Sequence, residues 1–359
     1  MHGQGGRPGG IVVLALTRGG CELGERLAAE LGAEFRPCRG RVAEEMRLAW
    51  QGRRALVCIM AAGIVVRTIA PLLADKHRDP AVVVCDEVGR FAIPLVSGHL
   101  GGANDLARRV ARITGGAAAL TTASDVLGRT ALDLWCRDLG LRVADQGALT
   151  AAMGRLVDRG GVSVWSCCPL PELPPDLHPI SEREHADLVI DVKAVGLPRA
   201  ALLHPPALVL GIGCNRGTPA GAIERAVKET FDRHTLALAA VRGLASIDLK
   251  RDEAGLLLFA AGQGLPLQFY ASETLNRVEG VSSSAAVLRA TGARGVAEPA
   301  ALLAAGPGAT LVVAKEKYPD VTVAVAERAD PLGVHGTGRT STTTTAADAP
   351  ADSDQRNTI

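Results

Sequence analysis

Residues 91–105, FAIPLVSGHLGGAND, carry the densest group of side chains able to move protons. An apolar run breaks into Ser97, Gly98 and His99, and Gly101 and Gly102 then lead into a helical pattern. His99 has an ordinary pKa near neutrality, so it reads as a general base. Glycine backbone at a helix start offers free N–H groups to an anion or a developing oxyanion. Ser97 is a second nucleophile candidate, weakened by the missing GxSxG elbow. Glycines that pack a strand tightly onto a helix are the structural alternative.

A second hydroxyl-rich strand end, Thr121-Thr122-Ala123-Ser124-Asp125, follows the apolar stretch 117–120. It reads either as another wall of the same pocket or as an N-cap by Ser124 or Asp125 for a helix over 131–139. A third glycine loop, Gly211-Ile212-Gly213-Cys214-Asn215-Arg216-Gly217, precedes a helix starting near Pro219. Its spacing is GxGxxxG, without a ribose-binding acid about 20 residues on, so a dinucleotide site is disfavoured. Arg216 remains available to an anion.

The elements that position these groups follow from apolar patterning. Runs at 11–16, 55–60, 81–85, 91–96 and 208–212 read as buried strands, and Leu23, Leu27 and Leu31 mark a helix face. The link 86–90 reads as a hairpin turn, and Pro94 places its strand at an edge or ends it early. Arg108, Arg109 and Arg112 read as a solvated helix face. The passage 167–179, CCPLPELPPDLHP, reads as irregular, and His178, His185 and His204 as surface histidines. Lys315 and Lys317 share one face of a strand, with strand-edge solubility as their plain explanation.

The fold class is therefore α/β: an N-terminal, largely parallel sheet with flanking helices, a less regular middle region and a second α/β domain at the C-terminus. The expected boundaries are a flexible start at 1–10, domains at 11–140, 141–206 and 207–328, and a disordered tail at 329–359. Formal net charge is +1 and aromatic residues are 3%, which speaks against nucleic-acid binding through bulk charge or stacking. No apolar run reaches a membrane span, and no export signal opens the chain. The eight cysteines are scattered without CxxC spacing and read as reduced residues of a cytoplasmic protein. No metal-ligand motif is present, and the Cys167-Cys168 pair lacks a third ligand.

Specific strings go further. CIMAAGIVVRTIAPLLADKHRDPAVVVCDEVGRF, SGHLGGANDLARR, TTASDVLG, LGIGCNRGT, SIDLKRDEAGL and VAEPAALLAAG together resemble the CbiG family of cobalt-precorrin 5A hydrolases, from about Ile11 to Arg328. The C-terminal unit also resembles a family that occurs alone in the aerobic pathway. The resemblance implies opening of a ring-A lactone on a cobalt-containing macrocycle with release of acetaldehyde. It implies a cobalt-precorrin substrate whose cobalt arrives within it, and no separate cofactor. Homo-oligomers and neighbouring pathway enzymes stay open as partners.

For that reaction the residues suggest His99 as base, Asp125 or Glu87 to orient it, and Ser97 as a less favoured nucleophile. Gly98, Gly101, Gly102, Asn104, Thr121 and Thr122 would line the substrate site. Gly63, Arg67 and Arg90 would form a further wall, with the arginines on substrate carboxylates. Gly211, Gly213, Arg216 and Lys315 would bind substrate in the C-terminal unit. The alternative is a tetrapyrrole-binding or channelling protein that holds the intermediate without transforming it.

Overall fold

The computed structural model describes residues 10–52, 54–75 and 78–333. The start at 1–9 and the tail from 334 lie outside the described residues. Three sheets follow one another along the chain.

The first sheet has strand order β2-β1-β3-β4-β5-β6. Its strands are β1 (Ile11–Ala15), β2 (Glu34–Pro37), β3 (Ala55–Ile59), β4 (Val82–Cys85), β5 (Phe91–Val96) and β6 (Ala117–Ala118). Helices α1 (Arg18–Leu31), α2 (Val42–Gln51), α3 (Ala62–Ile69) and α4 (Ala103–Thr114) cover its two faces. Strand alternation sorts the apolar runs between them. Val13, Val57, Ile59 and Val83 join α1 and α4 in one core. Val12, Leu14, Leu56 and Val84 join α2 and α3 in the other. Burial on both faces explains why these strands are continuously apolar.

The 86–90 hairpin reverses the chain, so β5 runs antiparallel to β4 while the other pairs of this sheet are parallel. Pro94 lies on an interior strand by order, yet β6 pairs only with Phe91 and Ala92. The proline's missing donor therefore falls where β5 has lost its outer neighbour.

A short turn of helix α5 (Ala123–Val126) leads to α6 (Leu132–Asp138) and the second sheet, of order β7-β11-β10-β8-β9. Its strands are β7 (Arg142–Val143), β8 (Val162–Ser166), β9 (Leu177–Pro179), β10 (Leu188–Ile190) and β11 (Ala201–His204), with α7 (Gln146–Arg159) packed on it. Leu132 and Cys136 of α6 belong to this middle core, together with Leu149, Leu156, Val164, Leu188 and Leu203. A boundary at residue 140 thus cuts through the unit, and the segment before residue 206 contains strand β11. The proline-rich passage is irregular only up to β9. Leu332 also packs on this core, so the first residues of the expected tail are ordered against it.

The third sheet has order β14-β13-β12-β16-β15. Its strands are β12 (Leu208–Cys214), β13 (Val241–Ile247), β14 (Leu267–Tyr270), β15 (Thr310–Lys317) and β16 (Val321–Glu327). Helices α8 (Ala220–His234) and α9 (Ala254–Gln263) cover one face. The other face carries α12 (Ala297–Ala305), preceded by α10 (Ser272–Leu275) and α11 (Ala285–Thr291). β15 and β16 form an antiparallel hairpin. Among the described residues no helix is long and apolar enough to cross a membrane.

Candidate active site

His99 stands between two carboxylates. Its Nε2 lies 3.0 Å from Asp125 Oδ2 and its Nδ1 lies 3.5 Å from Asp133 Oδ1, with all three side chains largely buried. Asn104 donates to the same Asp125 oxygen at 2.7 Å and to the Thr122 hydroxyl at 3.2 Å. Arg108 holds the other Asp125 oxygen, and the Ser124 hydroxyl lies 3.3 Å from His99 Nε2.

Sheet topology explains this grouping. β5 and β6 are parallel, so the loops after them, carrying His99 and Thr122–Asp125, emerge at one edge of the sheet. Asp133 comes from the start of α6, and the Leu134 N–H fixes its carboxylate at 2.9 Å.

The electrostatics favour an imidazolium. The Asp133 carboxylate beside Nδ1 raises the His99 pKa most, burial opposes this, and Asp125 adds to it. Burial would raise the Asp125 carboxyl, but hydrogen bonds from Arg108 and His99 hold it below the usual range. For Asp133, burial is likewise outweighed by His99 and the Leu134 N–H.

The site faces two hollows. One is a cavity of about 260 Å³ between Ser97, Leu100 and Thr122 on one side and Gln146, Thr150 and Met153 of α7 on the other. The other is a recess of about 50 Å³ beneath Arg108 and Arg129. Arg129 lines this recess, and its buried Nε has no hydrogen-bond partner among the described residues.

Several expected members are elsewhere. Because the hairpin reverses β5, the ends of β1, β3 and β4 lie at the opposite edge from His99. Glu87 is exposed there and accepts a hydrogen bond from Thr17, so it does not orient His99. Gly63, Arg67 and Arg90 are exposed at that same edge, outside the His99 cavity. Thr121 is exposed, whereas Thr122 lines the cavity.

The glycine loop also differs from a bare anion cradle. The Gly102, Ala103 and Asn104 N–H groups donate to the carbonyls of His99, Ser97 and Gly98, so the loop caps α4 with its own backbone. A Cβ at Gly98 would meet Asn104 at 2.9 Å, and one at Gly101 would meet Ser97 Cβ at 2.3 Å. Both glycines therefore allow close packing, while Gly102 supplies a positive φ of 83° before the helix. Ser97 has φ 57° and gives its hydroxyl to the Asp79 carbonyl at 2.7 Å, which turns it away from a nucleophile's role.

Ser124 and Asp125 sit inside α5, and the residue before α6 is Ala131, so neither caps that helix. Arg108 is no plain solvated residue, since it grips Asp125. His204 is buried, not superficial; its Nδ1 lies 2.7 Å from the Asp191 carbonyl, and burial lowers its pKa.

In the C-terminal unit, Gly213, Arg216 and Lys315 line a cleft of about 700 Å³. Gly211 does not reach it. A Cβ there would lie 1.8 Å from the Ala297 carbonyl oxygen, so this glycine seats α12 against β12. Arg216 is engaged by Asp252 at 2.6 Å and Glu253 at 3.8 Å.

Two family models match: Cobalamin synthesis G N-terminal over residues 44–125 and Cobalamin synthesis G C-terminus over residues 208–326. The cobalt-precorrin-5A hydrolase of Priestia megaterium is 35% identical over 298 residues, covering 77% of this chain and 79% of its own. The chain belongs to the CbiG family.

A second member, the cobalt-precorrin-5A hydrolase of Salmonella typhimurium, is 34% identical over 324 residues, covering 83% of this chain and 92% of its own. Protein CobE of a Sinorhizobium species is 36% identical over 121 residues, 33% of this chain and 79% of that protein. The N-terminal CbiG match contains His99, Asn104, Arg108 and Asp125 but stops before Asp133 and α7.

Proposed function

We propose that this CbiG-family chain is a cobalt-precorrin-5A hydrolase, opening the ring-A lactone of its substrate and releasing acetaldehyde, with His99 as its proton-transfer group. Membership of the family and the relatives' shared name support the reaction. The observation that carries the site is His99 held between Asp125 and Asp133 against a cavity. The cobalt belongs to the substrate and enters with it.

Lactone opening needs a proton for the departing ring oxygen and a base for the attacking water. Two flanking carboxylates favour the charged imidazole, so His99 begins as the acid and donates a ring proton. The neutral ring then accepts a proton from water. Asp125 and Asp133 orient the ring and stabilise its charge, as buried carboxylates do beside a catalytic histidine. Arg129 and Arg108 would meet a substrate carboxylate at the recess. Ser97 keeps its structural bond, and no acyl-enzyme is required.

The test is acetaldehyde release from cobalt-precorrin-5A by His99→Ala. Loss of a proton-transfer group predicts a fall in kcat of about 10²–10⁴-fold. Turnover near the wild-type rate in a folded variant would remove His99 from the reaction. Tetrapyrrole binding without turnover is the second reading, favoured by the separate C-terminal cleft.

A further inference from the structure

The cleft of the third sheet shares no residue with the His99 cavity, and at about 700 Å³ it has more than twice its volume. We propose that this cleft is a separate binding site for a carboxylate-bearing corrin-type macrocycle, in which Lys315 and Lys317 hold rim carboxylates over an apolar floor. The identity of the macrocycle class rests on the hydrolase reading; the existence of a polyanion site rests on the cleft alone.

The charge pattern comes from strand alternation. Lys315 and Lys317 point from β15 into the cleft, while Glu316 between them points to the α8 side. There Glu316 is bound by Arg233 at 2.9 Å and His234 at 2.8 Å. The carboxylate best placed in sequence to neutralise the lysines is thus turned away from them.

Neither lysine ammonium forms a salt bridge among the described residues, although Lys315 lies near enough to buried Glu298 to lower its pKa and Asp320, bound by Asn215, also lines the cleft; Lys250 across the cleft is paired with Glu253 at 3.1 Å. β15 is an edge strand, so solubility alone would suit lysines facing water. These instead line a concave surface with Ile247, Val287 and Val296.

That combination selects the ligand class. A small anion would need a tight cage of donors, and an apolar ligand would have no use for a cationic rim. A broad apolar body with carboxylates at its edge satisfies both. The cleft volume lies in the range of organic-ligand pockets, about 300–1,000 Å³.

The experiment titrates the full chain with two cobalt corrins, cobyrinic acid with its rim of carboxylates and cobyric acid with all but one converted to amides. The double variant Lys315→Gln/Lys317→Gln is compared with wild type and with His99→Ala. Wild type is expected to bind cobyrinic acid at least tenfold tighter than cobyric acid, with affinity falling as salt rises. The double variant should lose about tenfold for cobyrinic acid, while His99→Ala binds as wild type.

Equal affinity of wild type and double variant, or loss of binding only in His99→Ala, overturns the proposal. Acetaldehyde release reports separately on the hydrolase reading. Lysine-dependent corrin binding without turnover upholds the cleft and fails that reading; turnover with lysine-independent binding does the reverse.

Discussion

Asn104 and His99 meet the same oxygen of Asp125, at 2.7 Å and 3.0 Å. Asn104 is 3% exposed, so its amide is a fixed donor that sets where the carboxylate stands before His99 approaches it. Asn104→Ala removes that donor and leaves Asp125 less anchored. Unfolding in urea should show a loss of about 1–3 kcal/mol, and kcat should fall more than KM rises. An unchanged kcat would assign Asn104 to packing alone.

Asp133→Asn tests the acid-first mechanism. The raised pKa of His99 owes most to Asp133, so the variant's imidazolium deprotonates at lower pH. If the imidazolium is the active form, the alkaline limb of the kcat profile moves to lower pH by the same amount as the His99 resonance in an NMR titration. A profile that stays in place while the resonance moves would exclude His99 as the starting acid.

Stability should respond to pH on two sides. His99 has a raised folded pKa, so its contribution is complete below the ordinary imidazole pKa of about 6.5 and disappears as pH rises through the folded value. Asp125 and Asp133 have lowered pKa values, so theirs is present above the ordinary carboxylate range and disappears as pH falls through the folded values. His99→Gln should therefore flatten the alkaline decline in a urea-midpoint series. A parallel decline in wild type and variant would place that pH dependence elsewhere.

Two replacements should leave chemistry nearly untouched. Glu87→Gln alters a carboxylate at the far edge of the first sheet, and Ser97→Ala removes a hydroxyl already given to Asp79. Acetaldehyde release should stay within about threefold of wild type in each. A loss of about 10³-fold or more in Ser97→Ala would restore covalent catalysis.

Gly211→Ala forces a Cβ against the Ala297 carbonyl, which is backbone and cannot rotate away. Overpacking predicts a loss of about 1–3 kcal/mol, read as a lower urea midpoint. A wild-type midpoint would show that α12 can lift from β12 without penalty.

Legibility in the sequence follows burial. β1, β3, β4 and β12 are apolar without interruption because both sheet faces are covered, and they announce themselves. β6 and β7 have two residues each, too few to carry a period, and β9 hides among prolines.

The His99 and Asp125 loops were readable as neighbours because polar residues follow apolar strands. Asp133 was not, since it sits in LDLWCRD, whose Leu132 and Cys136 signal only a core-facing helix. Composition does not place Glu87, Arg67 and Arg90, because after the hairpin successive strand ends stop pointing the same way. Arg108 looked solvated because its own helix says nothing of the loop that crosses it.

The wall that α7 gives the His99 cavity has a consequence for modularity. Gln146, Leu149, Thr150 and Met153 come from the middle sheet's helix, and Asp133 comes from a helix packed on that same sheet. A chain cut after the first sheet would keep His99 and Asp125 and lose the opposing carboxylate and half the enclosure. For grafting, shuffling or minimising this scaffold, the smallest piece that keeps the His99 site whole is therefore the first two sheets together.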